Sequence, residues 1–172
     1  MKTKTMLMSA VVLASFAVPA AAADVLDAKR ATISAKMVMQ AAKELGLTAE
    51  QHKDKGGDPH FVLKDSGTGA KSVAIFMDDC NKAGMCEDVT FYADFGPVAK
   101  VKATTLNEWN HIGSKLRSKV FRSGGVDNPK GNVGMSSTVS YVGDDEYKEL
   151  GMQLGLFLVE VKMLDATIAK LK

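Results

Sequence analysis

The stretch SVAIFMDDCNKAGMCEDVTFYADF, residues 72–95, decides the fold of this chain. Apolar side chains recur at every second residue on both sides of two cysteines. These apolar positions are Val73, Ile75, Met77, Val89, Phe91, Ala93 and Phe95. Alternation with a period of two is typical of strands that bury one face. The stretch therefore predicts a β-hairpin with a loop at residues 81–85.

A test of strand register connects the cysteines to this alternation. If Cys80 lies opposite Cys86, apolar side chains meet apolar side chains on one face, as antiparallel pairing requires. The pairs are then Met77–Val89, Ile75–Phe91 and Val73–Ala93. A slip of one residue would break this match. The cross-strand separation of about 4.5–5.5 Å also suits a disulfide.

The amino terminus has the pattern of an export signal. Lys2 and Lys4 precede an apolar run over residues 6–18, and small residues end at Ala23. A basic start, an apolar stretch and an Ala-x-Ala cleavage site are typical of a secretory signal peptide. We therefore predict that residues 1–23 are removed and that residues 24–172 form one domain in the periplasm.

Export favours a structural disulfide between Cys80 and Cys86, because the compartment outside the cytoplasm is oxidising. A zinc site would need two further ligands, and His52, His60 and His111 show no metal-ligand spacing. A redox-active pair usually has Cys-x-x-Cys spacing, which is absent here.

Charge and motifs exclude several classes of function. The predicted signal peptide holds two lysines and no acidic residue, so its removal takes the formal net charge from +2 to zero. A neutral chain argues against nucleic-acid binding by phosphate neutralisation. No second apolar run is long enough to predict a membrane span. The chain has no Gly-x-Ser-x-Gly, His-Glu-x-x-His or dinucleotide motif. We therefore expect no enzyme, no catalytic residues and no cofactor.

Four carboxylates flank the predicted disulfide: Asp78, Asp79, Glu87 and Asp88. Asp78 would face Asp88, a like-charge pair at the solvated end of the hairpin. Oxygen ligands suit calcium and other hard cations, so a weak metal site is the alternative. A small-ligand or cation sensor at this acidic hairpin tip is the second functional hypothesis.

The remaining pattern predicts an α+β fold with an antiparallel sheet and flanking helices, in the order α-β-β-β-β-α-β-β-α. A first helix covers residues 33–45, with Thr32 as its N-cap and a Schellman-type stop at residues 46–47. Thr105 and Glu108 have capping-box spacing at the start of a middle helix that carries Trp109, Ile112 and Leu116. The strands are predicted over residues 48–54, 60–64, 72–79, 87–95, 120–122 and 133–142.

The final segment predicts a long helix that opens at Asp144 and carries two apolar stripes. The first stripe comprises Tyr147, Leu150, Leu154, Phe157, Val161, Leu164, Ile168 and Leu171. The second stripe, predicted to run beside it, comprises Met152, Leu156, Val159 and Met163. One stripe can cover a sheet, whereas two leave apolar surface that needs another partner.

Two interpretations of this doubled stripe stay open. It is either one broad stripe inside its own domain or a surface for a second copy or another protein. Gly151 and Gly155 would permit close approach of another backbone. The predicted partner-binding residues, in a homodimer or a complex, are Leu154, Leu156, Phe157, Val159 and Met163.

Two segments of the chain resemble the YbjN family of bacterial sensory transduction regulators. They are the cysteine hairpin with Val89-Thr90-Phe91-Tyr92-Ala93 after it, and Leu106-Asn107-Glu108-Trp109-Asn110. The resemblance implies a fold similar to type III secretion chaperones, which commonly dimerise and bind polypeptides, and it supplies no catalytic residues. It favours a chaperone-like or regulatory adaptor. The export signal departs from the best-known cytoplasmic members.

Overall fold

Seven strands and three helices make up the part of the chain that the computed structural model describes, residues 33–111, 115–140 and 146–171. The strands are β1 (Ile33–Ser34), β2 (Thr48–Lys53), β3 (Pro59–Lys64), β4 (Ser72–Cys80), β5 (Met85–Pro97), β6 (Lys119–Arg122) and β7 (Asn132–Ser140). The helices are α1 (Ala35–Glu44), α2 (Ala103–Trp109) and α3 (Glu146–Ala169). The fold is therefore mixed α+β.

The strands form one antiparallel sheet in the order β2-β3-β4-β5-β7-β6, with the short β1 paired to the start of β5. The element order roughly fits the predicted one. The difference is the two-residue strand β1 before α1, which was not predicted. Ile33 pairs with Cys86 and is fully buried, so this position, predicted as helical, is a strand that closes the core.

The central hairpin has the predicted register. Cys80 pairs with Cys86, and the three apolar pairs on the inner face follow in step: Met77–Val89, Ile75–Phe91 and Val73–Ala93. Cys80 and Cys86 form a disulfide, with their Cα atoms 3.9 Å apart. The Oδ1 atom of Asn81 accepts hydrogen bonds from the backbone N–H groups of Ala83, at 2.9 Å, and of Met85, the first residue of β5, at 3.1 Å, and so shapes the loop.

One face of the sheet holds the core. Phe61, Ile75, Phe91 and Met135 are fully buried on this inner face, at central positions of β3, β4, β5 and β7. Helices α1 and α3 pack against each other, and α3 also contacts β5. The ring of Phe91 lies 5.6 Å from that of Phe157 on α3, so the long helix covers the middle of the sheet.

The boundaries of α1 differ from the prediction at one end. The N-cap is Ser34, whose hydroxyl accepts a hydrogen bond from the N–H of Met37 at 3.3 Å. The predicted cap, Thr32, lies outside the described residues. The carboxyl end is as predicted: Gly46 has a φ of +73°, and Leu47 N–H donates to the Ala42 carbonyl at 2.9 Å, which completes a Schellman motif.

Helix α2 begins earlier than predicted, so the proposed capping box is wrong. Its N-cap is Lys102, which makes no side-chain cap, and Thr105 and Glu108 both lie within the helix. Trp109 is half-buried against the core. Asn110, just after the helix, exchanges two hydrogen bonds with the main chain of Val120, at 2.6 and 2.8 Å, and so fixes α2 to β6.

Several sequence predictions fall outside the described residues: the signal peptide, Ile112, the end of the last strand at 141–142, and Asp144. Leu116 lies after α2 rather than on it and packs against the core. Of the helices in the described part of the chain, none is long and apolar enough to cross a membrane.

Candidate functional site

The final helix α3 buries one complete apolar stripe in its own domain. The buried residues are Leu150, Leu154, Phe157, Leu158, Val161, Leu164 and Ile168. Two of the predicted partner-binding residues, Leu154 and Phe157, belong to this set, and their assignment to an exposed surface is wrong. Their side chains are at most 2 % exposed because they fill the space between α3 and the sheet.

The second stripe is exposed. Its members are Met152 (56 % exposed), Leu156 (42 %), Val159 (55 %) and Met163 (38 %). At 3.6 residues per turn these positions lie on the side of α3 opposite the buried stripe rather than beside it. The interpretation in which both stripes lie inside the domain is therefore wrong.

Their spacing gives the exposed stripe a definite geometry. The steps from Met152 to Met163 are four, three and four residues, the alternation that lines up the contact positions of paired helices. The stripe is about 16 Å long at 1.5 Å per residue. A helix with apolar stripes on two opposite sides normally buries both of them. In α3, only one of the two stripes is buried within the described part of the chain.

Gly151 and Gly155 lie on the flank of α3 that faces α1. A Cβ added at Gly151 would lie 3.9 Å from the Cβ of Ala41, and one at Gly155 would lie 3.7 Å from Cδ2 of Leu45. Both distances are ordinary van der Waals contacts. The backbone that these glycines approach is thus α1 of the same chain, and the approach does not require glycine.

Helix α1 extends the apolar surface. Leu45, at its carboxyl end, is 41 % exposed and lies beside Gly155. We call Met152, Leu156, Val159 and Met163, together with Leu45, the apolar surface. None of these five residues belongs to the sheet.

The orientation of the apolar surface depends on a residue that the sequence analysis missed. Glu160 lies between Val159 and Val161 on α3 and is buried, at 8 % exposure. Its carboxylate accepts hydrogen bonds from the N–H groups of Arg117, at 2.9 Å, and Ser118, at 3.0 Å, and from the Ser118 hydroxyl. These bonds attach α3 to the segment that begins β6.

A buried arginine was missed as well. The guanidinium of Arg122 donates to the carbonyls of Asn128 (2.9 Å), Val98 (2.8 Å) and Val101. Its side chain holds the loop after β6 against the segment after β5. The role of Arg122 is therefore structural, because its hydrogen bonds go to main-chain carbonyls of the same chain.

At the acidic hairpin tip, Asp78 lies opposite Asp88, as predicted. Each carboxylate has a hydroxyl partner: Thr90 donates to Asp78 at 3.3 Å, and Ser140 donates to Asp88. The other two weak candidates, Asp79 and Glu87, belong to no group of three potential metal ligands among the described residues. Among the residues that the structure describes, no three His, Cys, Asp or Glu side chains converge as a metal site would require.

The outer face of the sheet carries a row of rings that the sequence analysis also missed. His52 stacks on His60 at 5.4 Å between ring centroids, and His60 stacks on Phe76 at 5.5 Å. Tyr92 meets Phe76 edge-on at 6.2 Å and lies 6.0 Å from Phe121. Cross-strand aromatic contacts of this kind stabilise sheets. They join five strands on the side away from the helices.

No protein-family model matches the chain, and no curated protein matches it significantly. The similarity to the YbjN family therefore stays a prediction that rests on the cysteine hairpin and on residues 106–110. The geometry of the apolar surface stands independently of that similarity.

Proposed function

We propose that this protein is a non-enzymatic, exported adaptor that binds polypeptides through the apolar surface of α3. We further propose that it is a YbjN-like regulator with a type III secretion chaperone-like fold, acting in the periplasm. The observation that carries the proposal is the exposed stripe from Met152 to Met163 on a helix whose opposite side is already buried.

Energetics supports a binding role for this stripe. Full burial of a large apolar side chain contributes about 1.5–3 kcal/mol, and the four stripe residues are already about half covered. A partner that covers them would gain roughly 1 kcal/mol from each side chain. Methionine at both ends, Met152 and Met163, suits a surface that adapts to partners of different shape.

The spacing of the stripe favours a helical partner laid against α3. Helix-in-groove recognition uses anchors three and four residues apart, as the stripe provides. A second copy fits the same spacing in the antiparallel direction. Leu156 would then meet Val159 of the partner subunit, and Met152 would meet Met163 of the partner subunit. Such a contact is self-complementary, as a two-fold interface requires.

Site-specific photocrosslinking in the cell tests the proposal. A benzophenone side chain at Leu156 should link α3 to its partner, and the same probe at Ala169, an exposed position on the flank of α3 away from the stripe, should not. The link should disappear in a Val159→Glu background and persist in a Lys162→Glu background, where an exposed charge changes on the flank of α3 rather than in the stripe.

The identity of the linked chain separates the two kinds of partner. A link between two copies assigns the surface to a homodimer, and a link to one defined envelope protein assigns it to an adaptor complex. If Leu156 gives no link that depends on Val159, the proposed function is wrong.

A further inference from the structure

Among the strands that the structure describes, β2 is the last of the sheet. Strand β2 pairs with β3 on one side, and no described strand pairs with the other. Every second residue of an edge strand presents an unpaired N–H and C=O group, which is a template for another extended chain. Five of the six β2 residues are exposed, so the described part of the chain leaves this edge uncovered.

An open groove of about 870 Å³ lies between α1 and the start of this edge strand, at Thr48 and Ala49. Its residues are Lys36, Met39, Gln40, Lys43, Glu44, Leu47, Thr48 and Ala49. The apolar part comes from Met39, which is 46 % exposed, and from Leu47 and Ala49. Helix α1 thus separates two surfaces: it packs against α3 on one side and forms the groove with β2 on another.

The charges around the groove are unequal. Lys36 and Lys43 lie on the α1 wall, where the one acidic residue, Glu44, accepts a hydrogen bond from Gln40 at 3.3 Å. Glu50, on β2, pairs with Lys64 on the outer face of the sheet, at 3.1 Å, and so is directed away from the groove.

The side chains of β2 that face the helices carry no charge over most of the strand. Ala49 pairs with Leu63 and Gln51 pairs with Phe61, and both of those partners are buried on the inner face. Inward-pointing charges are a usual protection of an edge strand, and β2 lacks them at these two positions. The third residue on this face, Lys53, is charged, so the edge is suited to pairing over residues 48–51.

We infer that the groove binds an extended peptide segment, which adds to the sheet as a strand beside β2. Only an extended main chain can satisfy the unpaired groups of the edge, and its alternate side chains would enter the groove against Met39 and Leu47. The lysines of α1 select a segment that carries acidic residues. This site goes beyond the proposed function, because it uses neither the apolar surface nor a helical partner.

Fluorescence anisotropy with labelled peptides tests the inference. The probe is a short peptide of alternating valine and threonine with aspartate at both ends. It should bind saturably to the purified protein, while the same peptide with lysine ends binds more weakly. A version with proline at alternate positions should not bind, because proline cannot donate to the ladder.

Two matched variants locate the site. Met39→Asp should weaken binding of the acidic probe by about tenfold or more, whereas Met152→Asp, at a methionine of the apolar surface that is even more exposed, should leave it unchanged. A Lys36→Glu/Lys43→Glu variant should reverse the preference and favour the lysine-ended peptide. Val159→Glu should not change binding of the acidic probe. A loss of partner binding at the apolar surface can therefore be distinguished from a loss of peptide binding in the groove.

Hydrogen exchange supplies a direct readout of strand addition. Alternate amides of residues 48–51 should become protected when the acidic probe binds. The inference is overturned if the probe does not bind, if the proline peptide binds equally well, or if binding leaves these amides unprotected. It is also overturned if Met39→Asp changes only the oligomeric state, since the edge would then pair with a second copy.

Discussion

The carboxylate of Glu160 on α3 accepts hydrogen bonds from both the backbone N–H and the hydroxyl of Ser118, the residue directly before β6. Both residues are buried, at 8 % and 5 % exposure. Since Glu160 directly follows Val159, these bonds fix the rotation of α3 about its axis. They keep the apolar surface turned away from the sheet.

Removing this carboxylate should destabilise the fold. Glu160→Ala leaves the N–H groups of Arg117 and Ser118 without their acceptor, and an unsatisfied buried donor costs about 1–3 kcal/mol. Urea unfolding followed by circular dichroism measures the loss. Glu149→Ala, at an exposed glutamate of the same helix, should change the free energy of unfolding by less than about 0.5 kcal/mol. Equal effects of the two variants would show that the Glu160 contacts contribute nothing.

Replacing Gly155 by alanine should stabilise the protein. Alanine is favoured over glycine within a helix by about 0.8–1 kcal/mol, and the new methyl group would make an ordinary contact with Leu45. The melting temperature should therefore rise. A Gly151→Ala variant should behave alike, with Ala41 as the contact. A fall in melting temperature would contradict the packing of α1 on this flank.

The same Gly155→Ala variant tests whether a partner contacts α3 at Gly155. Gly155 faces α1 of its own chain, so the crosslink from Leu156 should survive the substitution. Loss of that link from a more stable protein would mean that Gly155 admits the backbone of the partner instead.

Glycine at position 134 should be required for full stability, because the ring of Phe121 lies over it. A Cβ at Gly134 would come within 2.8 Å of Cζ of Phe121, and the backbone of this residue is not in the left-handed region. Gly134→Ala should therefore destabilise the wild type through the ring alone. In a Phe121→Ala background the same change should be neutral or stabilising by about 0.5–1 kcal/mol, because glycine weakens strands. A double-mutant cycle of unfolding energies measures the coupling.

The hairpin could be predicted from sequence because its information is local. Two short apolar alternations and two cysteines are compatible with one register, in which apolar side chains face apolar side chains. Ile75 faces Phe91 as that register requires. The Schellman stop at Gly46 is equally local, since the motif spans a few consecutive residues. The apolar surface was partly predicted, because helical spacing reveals stripes. Which stripe is buried depends on the sheet, and Leu154 was therefore misassigned.

Contacts between distant segments could not be predicted. Glu160 and Ser118 are 42 residues apart, and only the packing of α3 over the start of β6 brings them together. Rings as far apart in sequence as His52 and Phe121 lie on different strands, and the order of the strands must be known before their row is visible. Ile33 was predicted as helical for the same reason, since its partner, Cys86, is remote in sequence.

Tyr92 should make stability fall in alkali. Partial burial, with a smaller contribution from the nearby Asp94 carboxylate, raises the pKa of Tyr92 above its ordinary value of 10.0. In the unfolded chain this tyrosine ionises first, so the unfolded state gains stability as the pH rises from 10.0 towards the folded-state pKa. The free energy of unfolding should decline across that window. Tyr92→Phe should flatten the decline, while Tyr147→Phe serves as the matched control. Equal slopes in both variants would contradict the shifted pKa.

Val159→Glu should separate folding from association. Val159 is 55 % exposed, so glutamate reaches solvent there, and the free energy of unfolding should change by no more than about 0.5 kcal/mol. The same change at Leu154, which is fully buried, places a charge in the core and should cost more than about 4 kcal/mol. Circular dichroism follows the fold, and sedimentation velocity follows assembly. We expect Val159→Glu to keep the wild-type spectrum and to lose the self-association or complex that the wild type shows. If it unfolds as Leu154→Glu does, the second stripe belongs to the core and not to a binding surface.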